Sequence, residues 1–302
     1  MEVRKIPVAQ GIAWFRAAID IGARNPRAVF GAALLFIATL YLAVGVMVGV
    51  GAMLQALQGV AMKLAAVFLN LLFLAVFVST PILIGGLMHV IREAEADRPV
   101  RPRDLFAPFR SPRARSLAGL GMLQIVASFL VGALMIAIAG PSFWENYVDA
   151  LQTAAGGGKF VLPESDKLWL VVIVYVALNY LMYAVMLFAV PLVLFSNLGI
   201  VDAVRNAFKA AVRNVGANLV ATALFVGGTI VGGIVAVLVS LLLATLGNLV
   251  HPLVGGLLSL MPMLGFTAAL LVVLAGGAYI AWRDTFGGEP PSASRPFGGI
   301  EA

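Results

Sequence analysis

Five stretches of this chain, residues 28–62, 64–91, 116–144, 168–201 and 214–282, contain no Asp, Glu, Lys or Arg. A helix rises about 1.5 Å per residue, so about 20 apolar residues cross about 30 Å of hydrocarbon. The first four stretches each supply one crossing. The fifth, 69 residues long, supplies two around a turn at Gly247-Asn248-Leu249-Val250-His251-Pro252. Spans are therefore expected near 28–52, 62–91, 116–140, 167–196, 216–246 and 253–282. Lipid offers no water to unpaired backbone groups, and runs this long lack the alternation of barrel strands. The predicted class is all-α, a polytopic transmembrane helical bundle.

Shorter amphipathic stretches precede three of the spans. In 9–24, Arg16, Asp20 and Arg24 recur at helical spacing, with Ile12, Phe15 and Ile19 opposite, which predicts a helix lying at the interface. Trp14 is expected at headgroup level, and the helix should stop near Asn25-Pro26, because the residue before proline is pushed out of the α region. In 199–214, Val201, Val204, Phe208, Val212 and Val215 form an apolar stripe opposite Asp202, Arg205, Lys209 and Arg213. A third stretch, 102–110, holds Leu105-Phe106-Ala107-Pro108-Phe109. A shift of 189 residues lays Arg16 on Arg205 and Arg24-Asn25 on Arg213-Asn214, and a shift of 191 lays Gly85-Gly86 and Arg92-Glu93 on Gly276-Gly277 and Arg283-Asp284. Two separated matches at nearly one offset indicate internal duplication. Arg110-Ser111-Pro112-Arg113 echoes Arg24-Asn25-Pro26-Arg27 as a weaker middle copy. The expected architecture is three units, each an interfacial amphipathic helix plus a transmembrane hairpin, within one domain over 1–286. A disordered cytoplasmic tail is expected over 287–302.

Composition agrees with this class: the 302 residues are 62% hydrophobic and 11% charged, against about 25% charged in soluble domains. Of the 20 basic residues, 17 fall on one side of the predicted spans, leaving Lys63, Lys159 and Lys167 on the other. The positive-inside rule then places both termini in the cytoplasm. Topology accounts for the net charge of +6, beside anionic headgroups worth about 1 kcal/mol per basic residue, so no nucleic-acid partner is implied. The absence of cysteine excludes disulfides, thiolate metal sites and cysteine nucleophiles within the chain. The first apolar run starts only after Arg24 and Arg27, which argues against a cleavable signal peptide.

Trp14-Phe15-Arg16, Arg24-Asn25-Pro26, Val190-Pro191-Leu192-Val193, the 202–214 helix and Tyr279-Ile280-Ala281-Trp282-Arg283-Asp284 resemble an uncharacterised proteobacterial family of six-span inner-membrane proteins. More distantly, the chain is similar to the membrane domain attached to glycerophosphodiester phosphodiesterases. The resemblance covers nearly the whole chain except the loop around Gly156-Gly157-Gly158 and the tail. It implies a bacterial inner-membrane location and a six-span topology. The family brings no assigned reaction, and the phosphodiesterase catalytic domain is absent from this chain.

Candidate chemistry is sparse. None of the predicted spans carries Asp, Glu, Lys or Arg at depth, and catalytic motifs are missing from fitting contexts. His89 reads as a structural hydrogen-bonding group and His251 as turn punctuation. Gly156-Gly157-Gly158-Lys159 reads as a flexible loop rather than a phosphate cradle. No catalytic, metal-binding or cofactor-binding residue is assigned. Asn179, placed about 18 Å into span four, with Tyr175, Tyr180 and Tyr183 nearby, leads the intramembrane polar candidates Asn70, Gln124, Asn179 and Tyr183. These could line a path or act as interhelical glue worth roughly 0.6–2 kcal/mol each. Pro81, Pro191 and Pro262 lie within spans and could unwind them, but transmembrane proline is common and often only bends a helix. Gly45 and Gly49, and Gly228 and Gly232, form G-x-x-x-G faces for helix packing.

Two functional readings follow. The first is a non-enzymatic membrane protein that organises lipids or partner proteins at the cytoplasmic face. It would use Arg16, Arg24, Arg110, Arg113, Arg205, Lys209 and Arg213 on anionic headgroups, with a membrane-protein partner or a second copy as further companions. The alternative is a permease or pore for a small or amphipathic solute. A cavity reaching Asn179 would separate them: a closed apolar centre favours the first reading, and an open aqueous or lipid-lined cleft the second.

Overall fold

The computed structural model describes residues 2–54 and 59–287; the expected disordered tail beyond Gly287 lies outside the described residues. Its helices are α1 (Gln10–Arg24), α2 (Pro26–Leu54), α3 (Gly59–Glu95), α4 (Ala114–Ala139), α5 (Pro141–Ala155), α6 (Leu168–Phe195), α7 (Ile200–Arg213), α8 (Val215–Asn248) and α9 (Pro252–Phe286), with a 3-10 segment at Pro102–Arg110. Among the described residues there is no strand. Six of these helices, α2, α3, α4, α6, α8 and α9, are long and apolar enough to cross a membrane. They coincide with the six expected spans.

Local chemistry sets the boundaries. Asn25 ends α1, and its Oδ1 accepts from the Ala28 backbone N–H in the first turn of α2, while Pro26 occupies the helix start, where a missing N–H costs nothing. Between α8 and α9, His251 Nδ1 accepts from Leu253 N–H at 3.1 Å, so this histidine caps the last span. Helices α3, α6 and α9 run through Pro81, Pro191 and Pro262 without interruption, so these prolines do not unwind their spans. One helix was not foreseen. Gly140, at φ 89°, is followed by Pro141 at the first turn of α5, and Phe143, Trp144, Tyr147 and Phe160 form an aromatic cluster there. What the sequence suggests as a plain loop is therefore partly a short amphipathic helix.

The helices pair as hairpins α2–α3, α4–α6 and α8–α9. Each lead-in element packs on a hairpin other than its own: the 3-10 segment and α7 on the hairpin before them, α2–α3 and α4–α6, the latter chiefly through α6, and α1 on the last hairpin, α8–α9. The second helices, α3, α6 and α9, touch pairwise at the centre. Adjacent hairpins also join through α3 with α4 and through α9 with α2, but the corresponding pair, α6 and α8, makes no comparable contact. The ring is closed at two of its three seams.

Small residues permit this docking. A Cβ on Gly86 of α3 would overlap the Leu105 carbonyl oxygen of the 3-10 segment, and one on Gly11 of α1 would overlap the Ala217 carbonyl of α8. Helix α7 seats itself with Ala203, Ala207, Ala210 and Ala211, all fully buried. The packed core gathers at the end of the bundle that carries α1 and the end of α9, hereafter the basic face. There α2 buries residues only between Ala28 and Ile37, α3 only from Pro81 to Ala94, and most of the buried residues of α9 follow Ala268. Toward the opposite end the spans present their side chains outward.

Two expectations change here. Helix α1 buries Gly11, Trp14, Ala18, Ile21 and Gly22, while Ile12 and Ile19 are exposed, because two apolar faces compete and the small-residue face fits the α8–α9 groove. Trp14 is accordingly a packed anchor, 2% exposed. Gly45 and Gly49 have nothing within 4 Å of an added Cβ, whereas Gly228 meets Phe15 and Gly232 meets Phe266; only the span-five motif serves packing within the chain.

Candidate functional site

The unpaired seam between α6 and α8 forms a cleft of about 450 Å³, within the roughly 300–1,000 Å³ of small-molecule sites. Its walls are Tyr175, Asn179, Tyr180 and Tyr183 of α6 and Asn218, Thr222 and Phe225 of α8. Val273, Gly277 and Ala278 of α9 make the floor, and Trp14, Phe15 and Ala18 of α1 close one end. Tyr175 and Tyr183 are more than half exposed along the mouth. The cleft thus opens sideways, toward the surface that would face lipid. None of its lining residues is Asp, Glu, His, Lys or Arg.

The polar groups are unevenly satisfied. Asn179 Nδ2 donates to the Tyr175 carbonyl at 2.9 Å, bonding within its own helix. Tyr180 and Asn218 lie side by side, close enough for their polar groups to act on each other, and Tyr180 Oη and Asn218 Nδ2 are both shielded and without a partner elsewhere. Asn218 is only 9% exposed.

Asn179 and Tyr183 are thus brought together as expected, whereas Asn70 and Gln124 lie on α3 and α4, away from the cleft. Asn70 is exposed and bonds the Ala66 carbonyl of its own helix at 2.8 Å. Asn179 stands about 17 Å along α6 from Leu168, its first residue, as expected, and shares the cleft with Asn218 in the first turn of α8. Asn218 escaped the sequence reading; its signal was a lone amide one turn into an otherwise apolar span.

At the basic face, charged groups mostly tie elements together. Asp284 accepts from Trp14 Nε1 at 2.8 Å and from Gln10 Nε2 at 3.0 Å. Asn214 holds the N-terminal segment, accepting from Ile6 N–H and donating to the Arg4 carbonyl. Arg283 Nη1 meets Glu95 Oε1 at 2.7 Å, and the Arg92 guanidinium lies 4.8 Å from the Phe195 ring centre. Of the residues expected to touch headgroups, Arg16, Arg24, Arg110, Arg205, Lys209 and Arg213 are exposed. Arg113 is partly buried and donates to Asn197 Oδ1, so it links the start of α4 to the turn before α7. On α7, Val201, Phe208 and Val212 remain exposed beside Lys209 and Arg213.

Six long apolar helices, a charge-tied face and one laterally open cleft define a polytopic α-helical membrane protein. No family model, curated protein or solved structure matches this chain.

Proposed function

We propose that this protein holds an amphipathic molecule drawn sideways from the bilayer into the α6–α8 cleft, as a non-enzymatic lipid-binding or lipid-moving protein. The observation that carries this reading is the single unpaired seam: the two corresponding seams are packed, and the third is lined by apolar and aromatic side chains with a few uncharged polar groups. A water-filled pore for ions fits less well, because water in so apolar a lining finds few partners. Thr222 is exposed on the cleft wall, so Thr222→Trp fills the space without disturbing the core. Native mass spectrometry of the detergent-purified protein is expected to show one retained lipid in the wild type and loss of most of it in T222W. Equal retention by both would remove the reading.

The same proposal places the chain in a bacterial inner membrane with both termini cytoplasmic, in line with its basic face and its resemblance to six-span inner-membrane proteins. The parallel docking of the three lead-in elements supports an origin by internal duplication. A second activity, contact with anionic lipid at the cytoplasmic face, is favoured by the apolar stripe of α7 left exposed next to Arg205, Lys209 and Arg213. At about 1 kcal/mol per basic residue near an anionic surface, reversing all three charges to Glu is expected to lower retention of phosphatidylglycerol by the purified protein at least tenfold. Unchanged retention, read by quantitative lipid analysis, would exclude these residues as the contact.

A further inference from the structure

We propose that a groove between α7 and the N-terminal segment seats the phosphate of one anionic phospholipid between Lys209 and Arg213. This deepens the proposed contact of α7 with anionic lipid and rests on it. The groove, about 420 Å³, is lined by Val3, Phe208, Lys209, Val212 and Arg213. Its N-terminal wall is held in place. Val3 is buried, and the residues after it are pinned from two sides: the Arg4 N–H donates to the Thr285 carbonyl at 2.9 Å, while Asn214 accepts from the Ile6 N–H and donates to the Arg4 carbonyl. Helix α7 is seated by its buried alanines, so both walls are set before a ligand arrives.

Charge names the ligand. Lys209 and Arg213 stand four residues apart on α7, which puts their Cβ atoms about 5–6 Å apart on one face. Among the described residues neither takes part in an ion pair, and no Asp or Glu among them lines the groove. An ammonium and a guanidinium offer only donors, and the guanidinium fork matches the paired oxygens of a phosphate. A zwitterionic head would bring an ammonium for which the groove holds no carboxylate. The apolar flank decides where the phosphate comes from. Phe208 and Val212 line the same groove yet are about half exposed; a free phosphate ion leaves them in water, whereas a lipid covers them at the boundary of headgroup and hydrocarbon. Arg205, one turn earlier, is exposed but does not line the groove. The site therefore divides three basic residues that a plain surface attraction treats alike.

The test titrates the full-length protein in detergent with dioleoyl phosphatidylglycerol and dioleoyl phosphatidylcholine. Wild type is expected to bind one phosphatidylglycerol at least tenfold more tightly than phosphatidylcholine. Lys209→Gln and Arg213→Gln should each weaken phosphatidylglycerol about fivefold, and Arg205→Gln less than twofold. Val212→Trp fills the groove while keeping every cation and enlarging the apolar stripe, so it should lose at least tenfold where a surface attraction would leave binding unchanged or stronger. Val212 is exposed, and a thermal midpoint within about 1 °C of wild type shows that V212W is folded; should it not fold, the three Gln variants, which remove equal charge, decide alone. Equal losses in R205Q, K209Q and R213Q would overturn the groove and leave the anionic-lipid contact of α7 standing. Displacement of the lipid by inorganic phosphate at the same concentration and ionic strength would reassign the groove to a free anion and overturn the lipid. No preference for phosphatidylglycerol in the wild type would remove both the groove and the contact.

Discussion

Replacing Trp14 with Ala is expected to lower the stability of the detergent-solubilised protein by about 3–5 kcal/mol, the range for removing a large buried aromatic side chain. Trp14 is 2% exposed where α1 meets the bundle, and its indole N–H donates to Asp284. The loss therefore combines a cavity with an unmatched carboxylate oxygen, which retains only the Gln10 amide. Since Trp14 also closes one end of the cleft, the variant should show two linked effects: a fall in thermal midpoint of roughly 6 °C or more, and loss of retained lipid at temperatures where the fold persists. Trp14→Phe separates these effects, keeping most of the volume while losing the hydrogen bond, and should lose only about 1–2 kcal/mol. A midpoint for W14A within about 1 °C of wild type would show that α1 is not an integral part of the bundle.

Glu95→Ala should be the next most damaging single change. Its carboxylate pairs with Arg283 at 2.7 Å, with 13% of the Glu95 side chain and 20% of the Arg283 side chain exposed, and it joins the end of α3 to the end of α9. Removing one partner of a buried pair leaves the other charge uncompensated, at about 3–5 kcal/mol. Partial exposure and the nearby Asp284 carboxylate, 3.9 Å from Arg283, place the expectation near about 3 kcal/mol. Glu95→Gln keeps an acceptor for the guanidinium and should lose less. The check is the thermal midpoint of the three proteins in one detergent: wild type highest, E95Q between, E95A lowest. Coincident midpoints would show the pair to be unimportant to the junction of α3 and α9.

The sequence reading and the structure agree where elementary constraints act alone. Charge-free runs and the Asn25-Pro26 and His251-Pro252 junctions located all six membrane-length helices, because length, hydropathy and proline act locally. The lead-in elements were located too, but not the faces they bury. Helix α1 offers both an Ile12, Phe15, Ile19 face and a Gly11, Trp14, Ala18 face, and only the neighbouring helices decide between them. Asn179 and Tyr183 were legible as uncommon polar groups in a span. Asn218 was not, since one amide near a helix start resembles any boundary residue until Tyr180 is seen beside it. The cleft itself was invisible in the sequence. It arises because α6 and α8 fail to make the contact that α3 with α4 and α9 with α2 do make, a property of tertiary packing that no single segment encodes.

The most direct test of an open, lipid-accessible seam places p-benzoyl-phenylalanine at position 179 and irradiates native membranes. Asn179 lines the cleft, so the adduct reports what occupies the space between α6 and α8. The expected result is attachment to a lipid acyl chain, read as a lipid-mass increment on the peptide containing residue 179. Attachment instead to α8 near Thr222 or Phe225, with no lipid adduct, would show that the seam is closed in the membrane and would contradict it.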